Sequence, residues 1–151
     1  MTIVPLSPHH HDSVETLLHE KGWDDHLNSY EGTIAFVALD GPDDIDPRVT
    51  GIVYGFAADA EYAELADQAG HQGPYGWVEL VVVAQPRTEL GTKLLRHFAS
   101  RTAKAFPYLM CSLDQEKEPV DRRYAWARER GFVLLRGGPN MVMGASATDL
   151  T

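Results

Sequence analysis

Residues Trp77–Leu95, with the sequence WVELVVVAQPRTELGTKLL, form the stretch that decides the fold. The first seven residues are apolar apart from Glu79, and such a run predicts a buried β-strand. A short polar loop follows, and leucines at helical spacing then predict a helix from Leu90. Backbone N–H groups at a helix start attract anions, and Gly91 lets the backbone approach a ligand closely. The stretch therefore predicts a strand–loop–helix unit suited to binding phosphate, although a unit with one glycine is more often plain architecture.

On both sides of this unit, apolar patterns and turn residues divide the chain into further strands and helices. Strands are predicted over Thr2–Leu6, Thr33–Leu39, Gly51–Ala57, Tyr108–Leu113, Phe132–Leu135 and Asn140–Met143. Helices are predicted over Pro8–Lys21, Asp24–Ser29, Glu61–Gln68, Leu90–Lys104 and Pro119–Arg130. The tail Ala145–Thr151 is expected to fray. The chain shows no internal repeat and no linker, which predicts a single domain over residues 1–151.

The composition is that of an ordinary soluble domain. The chain has 151 residues, of which 44% are apolar and 23% are charged. It has no apolar run long enough to span a membrane and no secretory signal, and its single cysteine excludes an intramolecular disulfide. We therefore expect a cytoplasmic protein that does not bind a membrane.

Charge is distributed unevenly along the chain, whose net charge is −9. Residues 1–86 carry 15 acidic and 2 basic side chains, whereas residues 87–130 carry 6 acidic and 10 basic ones. The later segment suits a polyanion, and the earlier one suits a cation. The alternative is that both segments form solvated faces. An acidic chain of this kind is a poor binder of nucleic acid, so no nucleic-acid partner is expected.

Two motifs resemble those of the GNAT superfamily of acyl-CoA N-acyltransferases. The first is the strand–loop–helix unit with its Gly91-x-x-Leu94-Leu95 ending, and the second is the aromatic-rich helix end Trp126-Ala127-Arg128-Glu129-Arg130-Gly131-Phe132. The order of the predicted strands and helices also resembles that of the superfamily over nearly the whole chain. The resemblance implies an α+β fold with a mixed, largely antiparallel sheet of six or seven strands and helices on both faces.

The resemblance also implies an activity and a co-substrate. The activity is N-acetyl transfer from acetyl-CoA to a primary amine of a small molecule or peptide, by a monomer or homodimer. The cofactor-binding residues that it implies on the strand, the loop and the helix start are Val81, Val82, Val83, Arg87, Thr88, Glu89, Leu90, Gly91 and Thr92.

The loop departs from the pattern of the family. If Gly91 is the last glycine of the motif, Glu89 stands at an earlier glycine position and Pro86 at the Arg/Gln position, with Arg87 one residue out of register. Proline donates no N–H, and the Glu89 carboxylate would lie near a pyrophosphate. The alternative interpretation is therefore a catalytically degenerate module of this fold that binds acyl-CoA or serves a regulatory role.

Two residues are candidates for catalysis. Glu79 is the only ionisable residue of an apolar strand, a setting that suits a base for an ammonium substrate, and some GNAT enzymes carry a glutamate in this strand as the base. The resemblance gives Tyr124, one turn before the usual tyrosine position at Ala127, the role of acid for the departing thiolate. The alternatives are a solvent-facing carboxylate and a tyrosine of the core or helix surface.

The remaining candidates favour structural roles. The run His9-His10-His11 is expected to be a solvated helix start rather than a metal site, and no metal is expected. Cys111 is expected to be an inert residue of an apolar strand. Aromatic residues of the two motifs, Trp77, Trp126 and Phe132, are expected in the core more often than against a ligand.

The acidic segment suggests a cationic acceptor. Candidates for the rim of its groove are Asp24, Asp25, Glu61 and Glu64.

Overall fold

The structure is a computed structural model that describes residues 2–23, 32–42, 47–86, 88–114 and 120–150. The described strands are β1 (Thr2–Pro5), β2 (Ile34–Asp40), β3 (Arg48–Ala57), β4 (Tyr75–Val83), β5 (Tyr108–Asp114), β6 (Val133–Arg136) and β7 (Asn140–Ser146). The described α-helices are α1 (His11–Glu20), α2 (Ala60–Gln68), α3 (Leu90–Thr102), α4 (Val120–Glu129) and α5 (Ala147–Leu150), and a 3₁₀ turn covers Pro8–His10. The predicted helix Asp24–Ser29 lies outside the described residues.

The seven strands form one sheet in the order β1-β2-β3-β4-β5-β7-β6. Antiparallel pairing joins β1 to β2, β2 to β3, β5 to β7 and β7 to β6. Strands β4 and β5 are parallel and pair over Tyr75–Trp77 and Tyr108–Met110. The prediction of a mixed, largely antiparallel sheet is confirmed. No helix of the described ranges is long and apolar enough to cross a membrane.

Contacts between residues divide the chain into two compact units. Unit 1 comprises Met1–Gly55 and Leu80–Phe98, and unit 2 comprises Phe56–Glu79 and Ala99–Thr151. The boundary cuts β4 between Glu79 and Leu80, so that the start of the strand belongs to unit 2 and its end to unit 1. The prediction of one domain over residues 1–151 stays a prediction.

Unit 1 is built around the apolar faces of α1, β2 and β3. Its core includes Val14, Leu17, Val37 and Ile52, and the end of β4 adds Leu80 and Val82. Gly51 of β3 stands where a larger residue has no room, because a Cβ atom there would lie 2.8 Å from Leu94 of α3. The glycine therefore allows the first turns of α3 to pack directly on the sheet.

Unit 2 has an aromatic core. Tyr75 and Trp77 of β4 pack with Tyr108 and Met110 of β5 and with Ala66 of α2. The rings of Tyr75 and Tyr108 meet edge to face at 5.9 Å between centroids. Such pairs add to the stability gained from burial of the rings.

Two predictions about the chain ends are wrong. The tail does not fray from Ala145, because β7 continues to Ser146 and α5 then buries Ala147 and Leu150. The start of the first helix is not wholly solvated either, because His10 is fully buried and its Nδ1 accepts the backbone N–H of Ser7 at 3.0 Å. This bond satisfies one of the donors that a helix start leaves without an intrahelical partner.

The Tyr75 hydroxyl gives unit 2 a stability that depends on pH. It lies 2.5 Å from Oδ1 of Asp67 and 2.8 Å from the carbonyl oxygen of His71. Burial, followed by the hydrogen bond to Asp67, raises the pKa of Tyr75 to about 12, and burial raises that of Tyr108 to about 12. Because these pKa values lie above the ordinary 10.0, the stability is complete below pH 10.0 and is lost as the pH rises toward about 12.

We expect Tyr75→Phe to destabilise the protein by about 1–2 kcal/mol at pH 7, because the hydrogen bond that the hydroxyl donates to Asp67 is lost. Its free energy of unfolding should also fall less steeply than that of the wild type above pH 10, because one of the shifted groups is gone. Urea unfolding at a series of pH values measures both effects. Tyr124→Phe is the matched control, since its hydroxyl contacts only Arg128, at 3.5 Å, among the described residues. An unchanged slope in Tyr75→Phe would contradict the role of this hydroxyl.

Candidate functional site

The end of β4 presents two different faces. Leu80 and Val82 point into the core of unit 1, while Val81 and Val83 lie on the opposite face and are half-buried. The three valines predicted to bind a cofactor therefore do not share a face. Their backbone, rather than one row of side chains, is what this strand can offer to a ligand.

The loop after β4 is tied to the start of α3 by a threonine. The Thr88 hydroxyl donates to the carbonyl oxygen of Gln85 at 3.1 Å and accepts the N–H of Leu90 at 3.4 Å. The backbone N–H of Lys93 donates to the carbonyl oxygen of Glu89 at 3.0 Å, which is the first bond of the helix ladder. The Thr88 hydroxyl thus links the loop to the first helical N–H, one residue before Glu89, whose carbonyl oxygen begins the ladder.

The two faces of the α3 start differ in exposure. Thr88, Glu89 and Lys93 are exposed, whereas Gly91 and Thr92 are buried. Arg87 lies outside the described residues. The first-turn N–H groups of a helix and its positive dipole end favour an anion, so the exposed side is the one that suits a phosphate.

Glu79 is exposed, so its apolar neighbours in the sequence do not enclose its carboxylate. Its Oε2 accepts a hydrogen bond of 2.8 Å from the indole Nε1 of Trp77. The two residues are two apart on β4 and therefore share a face of the strand. Trp77 itself is 6% exposed and belongs to the core of unit 2.

A short chain of contacts continues from this indole. The ring of Tyr62 on α2 stacks on Trp77 with 4.3 Å between centroids and 28° between planes. The guanidinium of Arg136 lies 5.8 Å from the Tyr62 ring centre, and its Nη1 lies 3.5 Å from Oε1 of Glu61. Glu61 and Arg136 are both exposed enough for this pair to add little stability.

Tyr124, the predicted acid, lies half-buried on α4. Its hydroxyl oxygen lies 3.5 Å from Nη1 of Arg128, whose guanidinium stands 5.8 Å from the centre of the tyrosine ring. The described contacts of the Tyr124 side chain are thus with a residue of its own helix.

Other predicted or titratable residues serve packing. Cys111 is half-buried, and removal of its thiol from water raises its pKa to about 12, so the thiol is not a ready nucleophile. Among the described residues, no group of three histidine, cysteine or acidic side chains is placed to hold a metal. A cavity of about 470 Å³ in unit 2 is lined by residues that include His71, Tyr108 and Asp149, and none of the predicted site residues lines it.

The predicted site residues thus fall into two groups. All described cofactor candidates, from Val81 to Thr92, lie in unit 1, and both catalytic candidates lie in unit 2. Sequence analysis missed the bond between Trp77 and Glu79. The signal that could have found it is their spacing of two on a strand, which places a donor beside a carboxylate.

No protein-family model matches the chain. A stretch of 94 residues, 62% of the chain, is 33% identical to a dihydroorotate dehydrogenase (quinone) from Halorhodospira halophila. This stretch spans only 26% of that enzyme, so the match does not carry its activity to this chain.

Solved structures resemble the chain over almost its full length. Arabidopsis thaliana NAA60 in complex with a bisubstrate analogue matches with a TM-score of 0.70 at 13% identity, and the match covers 96% of this chain and 98% of the NAA60 chain. The complex of NAA60 with acetyl-CoA matches with a TM-score of 0.66 at 12% identity, over 95% of each chain. FeeM, an N-acyl amino acid synthase from uncultured soil microbes, scores 0.66 at 13% identity over 99% of this chain and 97% of its own.

A third similar protein is an acetyltransferase related to the histone acetyltransferase HPA2, from Corynebacterium glutamicum. Its TM-score is 0.62 at 15% identity, over 96% of this chain and 95% of its own. The seven-stranded mixed sheet and these full-length similarities agree with the resemblance found in the sequence. The chain has the fold of the GNAT acetyltransferases.

Proposed function

We propose that this chain transfers the acetyl group of acetyl-CoA to a primary amine. The observation that carries the proposal is the full-length likeness to NAA60, whose solved structures contain acetyl-CoA and a bisubstrate analogue. The strand–loop–helix unit of this chain supplies a matching place for the phosphates. The N–H of its first helical residue, Leu90, lies 3.4 Å from the Thr88 hydroxyl, and the helix start has an exposed side.

The residues present fit such a co-substrate in part. The start of α3 offers its positive dipole end and the nearby ammonium of the exposed Lys93 to a pyrophosphate. The backbone of Val81 and Val83, two half-buried residues, suits the amide groups of a pantetheine arm. The exposed Glu89 carboxylate opposes the phosphates, so we expect the affinity to rest on the backbone rather than on a strong charge.

In the proposed reaction Glu79 takes a proton from the acceptor ammonium, directly or through a water molecule. The neutral nitrogen then attacks the thioester carbon, a C–N bond forms, and the C–S bond breaks. Tyr124 gives its proton to the departing sulfur, and a second nitrogen-bound proton leaves with the solvent. Positioning of the two substrates supplies much of the rate.

The proposal is tested in two steps with the full chain. Acetyl-CoA at about 100 times its Kd should stabilise the protein by about 2.7 kcal/mol, seen as a rise in Tm. Release of free thiol is then measured with a panel of amines. Stabilisation followed by amine-dependent thiol release supports the transferase. Stabilisation without release favours the degenerate acyl-CoA-binding module, and the absence of both overturns the proposal.

We further propose that the acceptor is cationic, such as a polyamine, an aminoglycoside-like molecule or a basic peptide. Residues 1–86 carry 15 acidic side chains against 2 basic ones. Of the candidate rim residues, Glu61 and Glu64 are exposed on α2, and Asp24 and Asp25 lie outside the described residues. Carboxylates of this kind concentrate a cation and steer its approach.

The kcat/KM for a steered cationic acceptor should fall by about tenfold between roughly 10 mM and 150 mM salt, because exposed charges are screened over this range. Initial rates for a polyamine at several ionic strengths measure the effect. A monoamine with an uncharged tail is the control and should depend less on salt. A kcat/KM that does not depend on salt, or a preference for an anionic acceptor, would show that the acidic residues do not select the substrate.

A further inference from the structure

We infer that Trp77 is a positioning residue for Glu79, and that its indole N–H holds one carboxylate oxygen so that the other receives the proton of the acceptor. The inference rests on the proposed function. It starts from the 2.8 Å bond between Nε1 of Trp77 and Oε2 of Glu79, which joins a core residue to an exposed acid.

The indole is itself held in place. Trp77 is 6% exposed in the core of unit 2, and the Tyr62 ring stacks on it at 4.3 Å between centroids. A side chain held in the core and stacked on another ring cannot follow a moving partner. The carboxylate must therefore come to the indole, and the hydrogen bond selects one rotamer of the exposed Glu79 side chain.

The hydrogen bond from Trp77 also gives the two carboxylate oxygens of Glu79 different roles. Oε2 accepts the hydrogen bond from the indole, while no partner is seen for Oε1 among the described residues. An exposed glutamate without such an anchor samples several rotamers, and only some of them place an oxygen near an acceptor nitrogen. The hydrogen bond from Trp77 reduces the number of unproductive rotamers and keeps one oxygen directed at the proton to be transferred.

A purely structural role makes a different prediction. A buried indole N–H needs an acceptor, and Glu79 could serve only that need. In that case the loss of the indole N–H would alter the stability of the fold but would not change how well Glu79 acts as a base. The two roles separate when the indole is changed both in the presence and in the absence of the Glu79 carboxylate.

The test is a double-mutant cycle of Trp77→Phe and Glu79→Gln. Trp77→Phe keeps a ring to stack on Tyr62 and removes the donor, and it should lower kcat by about 10- to 100-fold while the Kd for coenzyme A stays unchanged. In the Glu79→Gln background the same change should lower kcat by less than about twofold. Trp126→Phe is the matched control, since Trp126 is half-buried on α4 under Arg130 at 4.7 Å, and its kcat should stay that of the wild type.

The outcomes separate the two proposals. Equal losses from Trp77→Phe in both backgrounds would overturn the positioning role. A normal kcat in Trp77→Phe together with a large loss in Glu79→Gln would overturn the positioning role and leave the proposed function standing. A wild-type chain that transfers no acyl group to any amine would overturn the proposed function and this role with it.

A second measurement does not depend on the folding of Trp77→Phe. The chain has three tryptophans, and each gives an indole N–H signal in a nitrogen–proton NMR spectrum. Glu79→Ala changes only an exposed residue and should move one of the three signals upfield, because a hydrogen bond to a carboxylate is lost. Three unmoved signals would show that the bond does not exist and would overturn the inference.

Discussion

Glu79→Gln should lower kcat by about 10²- to 10⁴-fold, the usual contribution of a general base. Glutamine keeps the size of the side chain, and its amide oxygen still accepts the hydrogen bond from Trp77, but it cannot take a proton from the acceptor. The Kd for coenzyme A should not change, because the described cofactor candidates lie on other residues, from Val81 to Thr92. Steady-state kinetics and calorimetry measure the two quantities.

Part of the lost rate should return as the pH rises, because a larger fraction of the amine is then already neutral. The assays are best kept below pH 10, where the stability linked to Tyr75 and Tyr108 is intact. Glu15→Gln, at an exposed position on α1, is the matched control and should keep the kcat of the wild type. A normal kcat for Glu79→Gln at neutral pH would remove Glu79 from the mechanism.

Thr88→Asp should weaken the binding of coenzyme A more than any neutral change in the loop. A carboxylate about 4 Å from a phosphate costs about 1 to 4 kcal/mol, depending on how much water screens the pair, which corresponds to a roughly fivefold to several-hundredfold rise in Kd. The loss should shrink at high salt, because the residue is exposed. Isothermal titration calorimetry at two salt concentrations measures it.

Thr88→Asn is the control for this change. Asparagine and aspartate have nearly the same size, and each offers a side-chain oxygen that can accept the N–H of Leu90 in place of the Thr88 hydroxyl, so both variants should keep the start of α3. They differ by a single charge, and Thr88→Asn should bind coenzyme A within about twofold of the wild type. Equal affinities for the two variants at low salt would show that the phosphates do not lie at this helix start.

The strand–loop–helix unit could be predicted from sequence because its signals are local. The apolar run that ends at Val83 and the leucines from Leu90 onward match the ends of β4 and α3 within two residues. The positive φ of 113° at Gly131 similarly confirms the predicted end of α4. Periodicity and glycine chemistry act within a few residues, and for this reason a single sequence reveals them.

Features that depend on side-chain contacts were not predictable in the same way. The burial of His10 depends on its bond to the N–H of Ser7, and α5 has only Ala147 and Leu150, three residues apart, as an apolar pattern. The exposure of Glu79 shows the same limit. Its strand neighbours are apolar, and Trp77 on the same face of β4 lies in a core, so the exposure of Glu79 depends on what packs over each position rather than on the strand pattern.

The interleaving of the two units sets an order for their completion during synthesis. All of unit 1 has been synthesised once the chain reaches Phe98, before the segment Ala99–Thr151 of unit 2 is made. Unit 2 needs the segment Ala99–Thr151, and its first segment, Phe56–Glu79, must wait for that segment. The aromatic side chains of the segment Phe56–Glu79, Trp77 among them, therefore lack their packing partners from Ala99–Thr151 for a time during synthesis, when such surface is prone to aggregate.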